Sequence, residues 1–303
     1  MASSLRIRIG TSSWTDKTLL ESGWYPPEAN NPEERLKFYA SRFDVVEVDS
    51  TYYGLPNQRN SALWVERTPK DFRFEIKAFS LMTGHPTRLR SLPKDIRESL
   101  GDDAPANVYP KHLDPETVDA IWEMFREALM PLHSAGKLGV VMFQFPQWFL
   151  PGKRSREEIL GARERLRDYD IGVELRQKRW FADEEATRRT LDFFRAEGIP
   201  LVCVDMPQGF DSSIPPMAEA TSDSIALLRF HGRNRENWLK KGITAAERFK
   251  YDYSDQELEE WVPEVTKVSE RAEETHALFN NCYRDMGVRN ARTFAGMLPG
   301  FDE

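Results

Sequence analysis

The run Ser224 to Arg233, SIALLRFHGR, spaces Arg229, His231 and Arg233 two residues apart, so in an extended strand the three project from one face. Guanidinium groups bind phosphate or carboxylate bidentately, and an imidazole flanked by two of them is biased towards its neutral form, a ready proton acceptor. Other apolar runs finish in the same polar manner. Glu47 and Asp49 close DVVEVD, Glu75 and Lys77 alternate in RFEIK, and Gln144 ends LGVVMFQ. Glu174 and Arg176 share a face in VELR, Asp205 ends PLVCVD, and Asn280 and Asn281 follow THALF. The chemistry on offer is anion capture by Lys77, Arg176, Arg229 and Arg233, with Glu47, Glu174 and His231 as the groups that move protons. Tyr52, Gln144, Asp205, Asn280 and Asn281 complete the expected substrate-binding set. Glu75, set deeper than Lys77, is expected to pair with Lys77 or Arg73 and not to catalyse.

Such tips act together only if the elements bring them together. Short apolar runs alternate with amphipathic helical stretches along the whole chain. The expected strands are 6–10, 44–49, 73–79, 138–145, 170–175, 200–205, 224–233 and 275–280. Between them, helices are expected over 32–41, 57–67, 115–134, 155–167, 183–197, 254–274 and 290–297. A longer irregular segment, 80–115, carries a small helix near 94–100. Eight strand-helix alternations in 303 residues are the count of a parallel (β/α)8 TIM-type barrel, with a doubly wound open sheet as the alternative. No Gly/Ser linker or change of composition divides the chain, so a single domain over 1–303 is expected, with long βα loops at the C-terminal face. In a closed barrel the outward face must be apolar to meet the helices, which sends the charged face into the mouth. The competing reading is an ion network whose members only neutralise one another.

Composition removes several classes. A net charge of −7 argues against a generally basic nucleic-acid coat and leaves room for a local basic pocket. The two cysteines, Cys203 and Cys282, sit in apolar patterns and read as buried thiols of a reducing compartment. The opening MASSLRIRIG has no apolar core of a secretion signal and no run is long enough to span a membrane, so a cytoplasmic protein without a membrane partner is expected. There is no phosphate-cradling glycine loop, nucleophile elbow or zinc motif, so no nucleotide cofactor is expected. Glu47, Asp49, Glu174 and Asp205 have the oxygen chemistry for one hard divalent ion, and with His231 the one histidine at a strand tip a multi-zinc centre is not expected. Aromatic residues past the strand ends (Trp14, Tyr52, Tyr53, Trp148, Phe149, Trp180, Tyr283) and in longer loops (Trp24, Tyr25, Trp238, Tyr251, Tyr253) offer flat faces for a sugar ring or a base.

The blocks WYPPEA, ERLKFYASRFDVVEVDSTYYGLP, FRFEIKA, LGVVMFQFP, VELRQKRWF, LRFHGRN and FNNCYRDMGVRNA, in this order from Ile7 to Leu298, resemble those of the YecE-like family, also called domain of unknown function 72. The resemblance implies a TIM-type barrel and leaves the activity open. It covers Glu47, Tyr52, Lys77, Gln144, Glu174, Arg176, Arg229, His231, Gly232, Arg233, Asn280 and Asn281. Asp49 stands where the family commonly has Asn, and Gly84 separates a Thr from His85 that the family usually joins. The functional expectation is an enzyme, hydrolase-like or lyase-like, acting on a small anionic, phosphorylated substrate or on nucleic acid in the barrel mouth. The alternatives are a carbohydrate-active enzyme with Glu47 and Glu174 as paired carboxylates, and a non-catalytic protein that binds a nucleotide or single strand. Arg88, Arg90 and Lys94 in one loop and Arg235, Lys240 and Lys241 in another would extend a basic rim.

Overall fold

The computed structural model describes residues 6–101 and 103–299. The ends of the expected 1–303 domain and the first five residues, on which part of the signal-peptide argument rested, lie outside them. Eight parallel strands are laid out as β1 (Ile7–Thr11), β2 (Val45–Val48), β3 (Arg73–Lys77), β4 (Leu138–Gln144), β5 (Ile171–Glu174), β6 (Val202–Asp205), β7 (Ile225–Phe230) and β8 (Glu274–Phe279). Their order in the sheet is β5-β4-β3-β2-β1-β8-β7-β6. The two ends of that series meet through a parallel bridge between Val173 and Leu201, with Val173 N donating to Pro200 O at 2.8 Å. The result is a nearly closed TIM-type barrel with helices outside.

The helices begin where local chemistry dictates. Asn31 caps Pro32–Ala40, Asn57 caps Gln58–Glu66, Asp114 caps Pro115–Ser134 and Asp183 caps Glu184–Glu197, each side chain accepting a backbone N–H of the first turn. The single helix expected over 254–274 is two, Asp255–Glu259 and Val262–Ser269. Pro263 has no N–H to give and its ring crowds the preceding turn, so the first helix stops and a second starts with the proline in its opening turn. The last helix starts earlier than expected, at Met286, and runs to Met297. After β3 the long segment holds the helix Lys94–Ser99 and a two-residue antiparallel ladder, Thr87–Arg88 with Asn107–Val108.

Strand register sorts side chains into two sides. Cross-strand partners in a parallel sheet point the same way. Phe230 pairs with Phe279 and with Asp205, and the two rings stack at 4.6 Å and pack on Phe294 of the last helix, so that row faces the helices. The intervening row, in which Arg229 pairs with Leu278 and Leu278 with Gly10, faces the barrel axis. Glycines make room inside. A Cβ at Gly172 would lie 2.6 Å from Leu227, and one at Gly139 only 2.1 Å from Glu75 Oε1.

Near the N-terminal end of the axis Glu75 accepts from Val140 N at 2.7 Å and meets His276 Nδ1 at 2.5 Å, while His276 Nε2 lies 3.1 Å from Glu274. The partner of Glu75 is therefore His276, not Lys77 or Arg73. Burial acts to lower the His276 pKa, and Glu75 and Glu274 outweigh it and raise it. Cys203 is buried on the helix side of β6, whereas Cys282 lies beyond the end of β8 and is only half-buried. Among the described residues no helix is long and apolar enough to cross a membrane.

Candidate active site

Arg229 is the hub of the barrel mouth. It is 1% exposed, donates from Nε to Glu47 Oε2 at 2.9 Å and from Nη2 to Glu47 Oε1 at 2.8 Å, and gives Nη1 to Glu174 Oε2. Ser12 Oγ adds a bond to Glu47 Oε2 at 2.8 Å. Glu174 Oε1 receives Gln144 Nε2 at 2.7 Å and Arg176 Nε at 2.5 Å, with His231 Nε2 at 3.2 Å. Burial acts to raise the Glu174 pKa, but Arg176 and Arg229 outweigh it and hold the carboxyl well below the usual range. His231 is pushed down to about 3, by burial first and then by Arg176, and so is neutral. Its second nitrogen, Nδ1, lies 2.8 Å from Asn280 Nδ2. Both carboxylates and the imidazole form a sealed floor.

The groups that reach open space lie one level higher. A cavity of about 290 Å³ is lined by His85, Gln144, Trp148, Arg176, Trp238 and Phe249, among others. The Arg176 guanidinium stacks over Trp238 at 5.4 Å, and its Nη1 has no acceptor among the described residues. His85 Nδ1 lies 2.8 Å from Thr83 Oγ1. That hydroxyl also lies 3.1 Å from Ser80 O, which can only accept; with its hydrogen there it accepts from Nδ1–H, and the lone pair is on Nε2. Burial, then Lys77 and Arg176, lower the His85 pKa to about 4, so the ring is a neutral base. The half-buried Lys77 ammonium lies 4.8 Å from the centre of the Tyr52 ring, and Tyr52 also contacts His85 at 5.4 Å. Burial and Arg229 lower the Lys77 pKa against the pull of Glu47, Glu174 and Asp49. Asp49 is raised to about 6 by burial and by Glu47. A second cavity of about 730 Å³ runs along Tyr52, Tyr53, Arg88, Arg90 and Pro93.

A family model described as protein of unknown function DUF72 matches residues 8–301. The chain belongs to the DUF72 family. It is 33% identical over 279 residues to the UPF0759 protein YunF of Bacillus subtilis (strain 168), covering 91% of this chain and 88% of that one. A DUF72 protein of Thermotoga maritima superposes with a TM-score of 0.75 at 30% identity, covering 96% of this chain and 98% of that one. One from Enterococcus faecalis superposes with a TM-score of 0.78 at 27% identity, covering 96% and 95%.

In this DUF72 protein the expected site residues divide into three groups. Lys77, Gln144, Arg176 and Tyr52 stand at the mouth, and Glu47, Glu174, Arg229, His231 and Asn280 form the floor beneath them. Asp205, Arg233 and Asn281 are elsewhere. Asp205 faces the helices with Phe230 and accepts from Tyr253 Oη at 2.8 Å, Trp261 Nε1 at 2.8 Å and Arg233 Nη2 at 2.6 Å. Gly232, with φ +79°, turns the chain after β7 and leaves space for Tyr251, so Arg233 no longer follows the alternation of Arg229 and His231. Asn281 Nδ2 ties Tyr251 O at 2.9 Å and Asn290 Oδ1 at 2.7 Å. The four carboxylates expected around one divalent ion therefore do not gather, since Asp205 is on the far side of the sheet and Glu47 and Glu174 both serve Arg229.

The aromatic residues divide likewise. Tyr52, Tyr53, Trp148 and Trp238 line the cavities, whereas Trp14 packs on Trp64 and Phe74, Trp180 donates to Phe149 O at 2.8 Å, and Trp24 and Tyr25 rest on Phe38. His85 as a positioned base, and the lining residues Ser212, Arg248 and Phe249, were not among the expected site residues. The signal for His85 was present as the local pattern Thr83-Gly84-His85, in which Gly84 takes a left-handed φ of +71°.

Proposed function

We propose that this DUF72 protein is an enzyme acting on a small anionic, phosphorylated substrate bound at the C-terminal mouth of the barrel. The observation that carries the reading is that His85 and Arg176, whose Nη1 is unspent, line one cavity, with Lys77 near enough that its charge and that of Arg176 both lower the His85 pKa. Arg176 would hold the phosphate from its Nη groups, its plane fixed by Glu174 below and Trp238 above. Glu47, Glu174, Arg229 and His231 are positioning residues in this reading, and His85 replaces His231 as the proton acceptor. Exposed Tyr53, Arg88 and Arg90 along the second cavity extend the same chemistry to a phosphate chain, which keeps nucleic acid within the substrate class.

The carbohydrate alternative needs two carboxyl groups open to a sugar, one of which gives and takes a proton. Glu47 and Glu174 are both 0% exposed and bridged by one guanidinium, which favours the anionic substrate. The test is thermal stability of wild type and Arg176→Gln against inorganic phosphate, sugar phosphates, nucleotides, short single-stranded DNA and neutral oligosaccharides. A ligand that binds the folded state raises the melting temperature by mass action. Phosphorylated ligands should stabilise wild type and not the variant. Stabilisation by neutral oligosaccharides alone would overturn the reading.

A further inference from the structure

Lys77 of β3 and Lys137, the residue before β4, are treated differently. Lys137, 5% exposed, donates to Val65 O at 2.7 Å, Thr68 O at 2.7 Å and Thr68 Oγ1 at 3.0 Å, so its three hydrogens are all used. Lys77 has no carboxylate within ion-pair distance and no hydrogen-bond acceptor among the described residues. Of the three acids whose charges reach it, Glu47 and Glu174 are taken by Arg229, and Asp49 lies beyond ion-pair distance. The face of the Tyr52 ring lies 4.8 Å from the Lys77 ammonium. A lysine placed for stability would be satisfied as Lys137 is. One left unpaired beside a guanidinium is kept short of charge stabilisation, which is what an amine nucleophile needs.

We propose that Lys77 is a covalent nucleophile that forms an imine with the carbonyl group of a phosphorylated aldehyde or ketone, an open-chain sugar phosphate being the simplest member of the class. This rests on the anionic-substrate reading above and names the chemistry of that site. The Lys77 Nζ lone pair attacks the carbonyl carbon and the carbon–oxygen π pair moves to oxygen. His85 Nε2 takes a proton from the new ammonium and returns it to the oxygen, giving a neutral carbinolamine. Loss of that oxygen as water leaves the imine, so one carbonyl and one amine become one imine and one water, with no oxidant or reductant. Protonated, the imine withdraws electrons from the adjacent carbon and labilises its bonds, while Arg176 holds the phosphate. The lowered Lys77 pKa agrees with this arrangement, because each unit of depression gives about tenfold more free amine at neutral pH.

The experiment is reductive trapping. Full-length wild type is incubated with glyceraldehyde 3-phosphate and sodium borohydride, and the modified lysines are located by peptide mass mapping. Exposed Lys17 and Lys153 serve as internal references. The expected result is a reduced adduct at Lys77 forming at least about tenfold faster than at those two, slowed by inorganic phosphate as a competitor. Lys77→Arg, which keeps the charge, should lack the fast adduct, and His85→Gln should form it more slowly while binding phosphate as wild type does. Labelling of Lys17 and Lys153 with none at Lys77 in the wild-type protein would overturn the proposal. Because the wild-type labelling decides this, a variant that fails to fold does not blur the outcome. If phosphate stabilises wild type and not Arg176→Gln while Lys77 stays unlabelled, the imine fails and the anion site stands. If neutral glyceraldehyde labels Lys77 as fast as its phosphate, the nucleophile stands and the anionic substrate fails.

Discussion

Replacing Arg229 by Met tests whether the floor of the site is held by its charges. The side chain is 1% exposed and links two carboxylates that are each 0% exposed. Its removal leaves Glu47 with Ser12 Oγ as its one hydrogen-bond donor among the described residues, whereas Glu174 keeps Gln144, Arg176 and His231. Removing one partner of a buried ion pair costs about 3–5 kcal/mol, because the remaining charge stays desolvated. With an unfolding entropy of roughly 2 cal/mol/K per residue, a chain of this length loses about 1.5 °C for each kcal/mol, so the melting temperature should fall by about 5–8 °C. The assay is calorimetric unfolding of wild type, Arg229→Met, Glu47→Gln and the double variant at pH 7. The double variant should be more stable than the sum of the single losses implies, by about 1–3 kcal/mol, since these residues touch. A fall under about 1 °C in Arg229→Met, or strict additivity in the cycle, would refute the claim that these charges are mutually dependent.

Other consequences can be checked alongside. Asp205→Asn should lower the melting temperature, because an NH2 donor replaces one of the two oxygens shared by Arg233, Tyr253 and Trp261 and the charge opposite Arg233 is lost, yet leave the affinity for sugar phosphate unchanged; a lost affinity would return Asp205 to the site. His85 and His231 have folded pKa values of about 4 and about 3, below that of an unfolded histidine, so their contribution is present above about pH 6.5 and is lost as pH falls towards those values. His85→Gln should therefore flatten the acid limb of a stability profile by up to about 1.4 kcal/mol per pH unit near pH 5, and an unchanged slope would contradict the neutral ring. His276 has the opposite sign: its raised pKa contributes stability that is complete below about pH 6.5 and is lost as pH rises through the folded value, and His276→Gln should remove that alkaline loss. Gly139→Ala should destabilise, because the added Cβ would lie 2.1 Å from the Glu75 carboxylate, and a melting temperature equal to wild type would show that Glu75 can move aside.

What the sequence determined by itself was the rhythm and its polar ends. Eight apolar runs separated by capped helices required a layered β/α fold, and alternation with period two required that Glu47, Glu75, Arg229 and His231 each oppose apolar neighbours. The same alternation also placed Lys77 with Glu75 and Arg176 with Glu174, and the structure brings Lys77, Arg176, Gln144 and Tyr52 to one mouth. What alternation cannot give is which of the two faces points inwards, since that depends on strand register and barrel closure. Asp205 shows the consequence: it ends its strand as Glu174 does, but it pairs with Phe230, and that row belongs to the helices. Nor does a strand pattern continue through a glycine with positive φ, which is why Arg233 leaves the face of Arg229 and His231. Partner choice was decided by tertiary structure alone. Arg229 reaches Glu47 across 182 positions and Glu174 across 55, and by engaging both it seals two expected catalysts and leaves Lys77 unpaired. His85 became a candidate base because the loop after β3 brings it into the lining of the cavity beside Arg176, with Nδ1 held against Thr83 Oγ1. Local sequence sets how a side chain alternates and where a helix starts, while the burial and pairing that set its charge state depend on neighbours that only the closed barrel assembles.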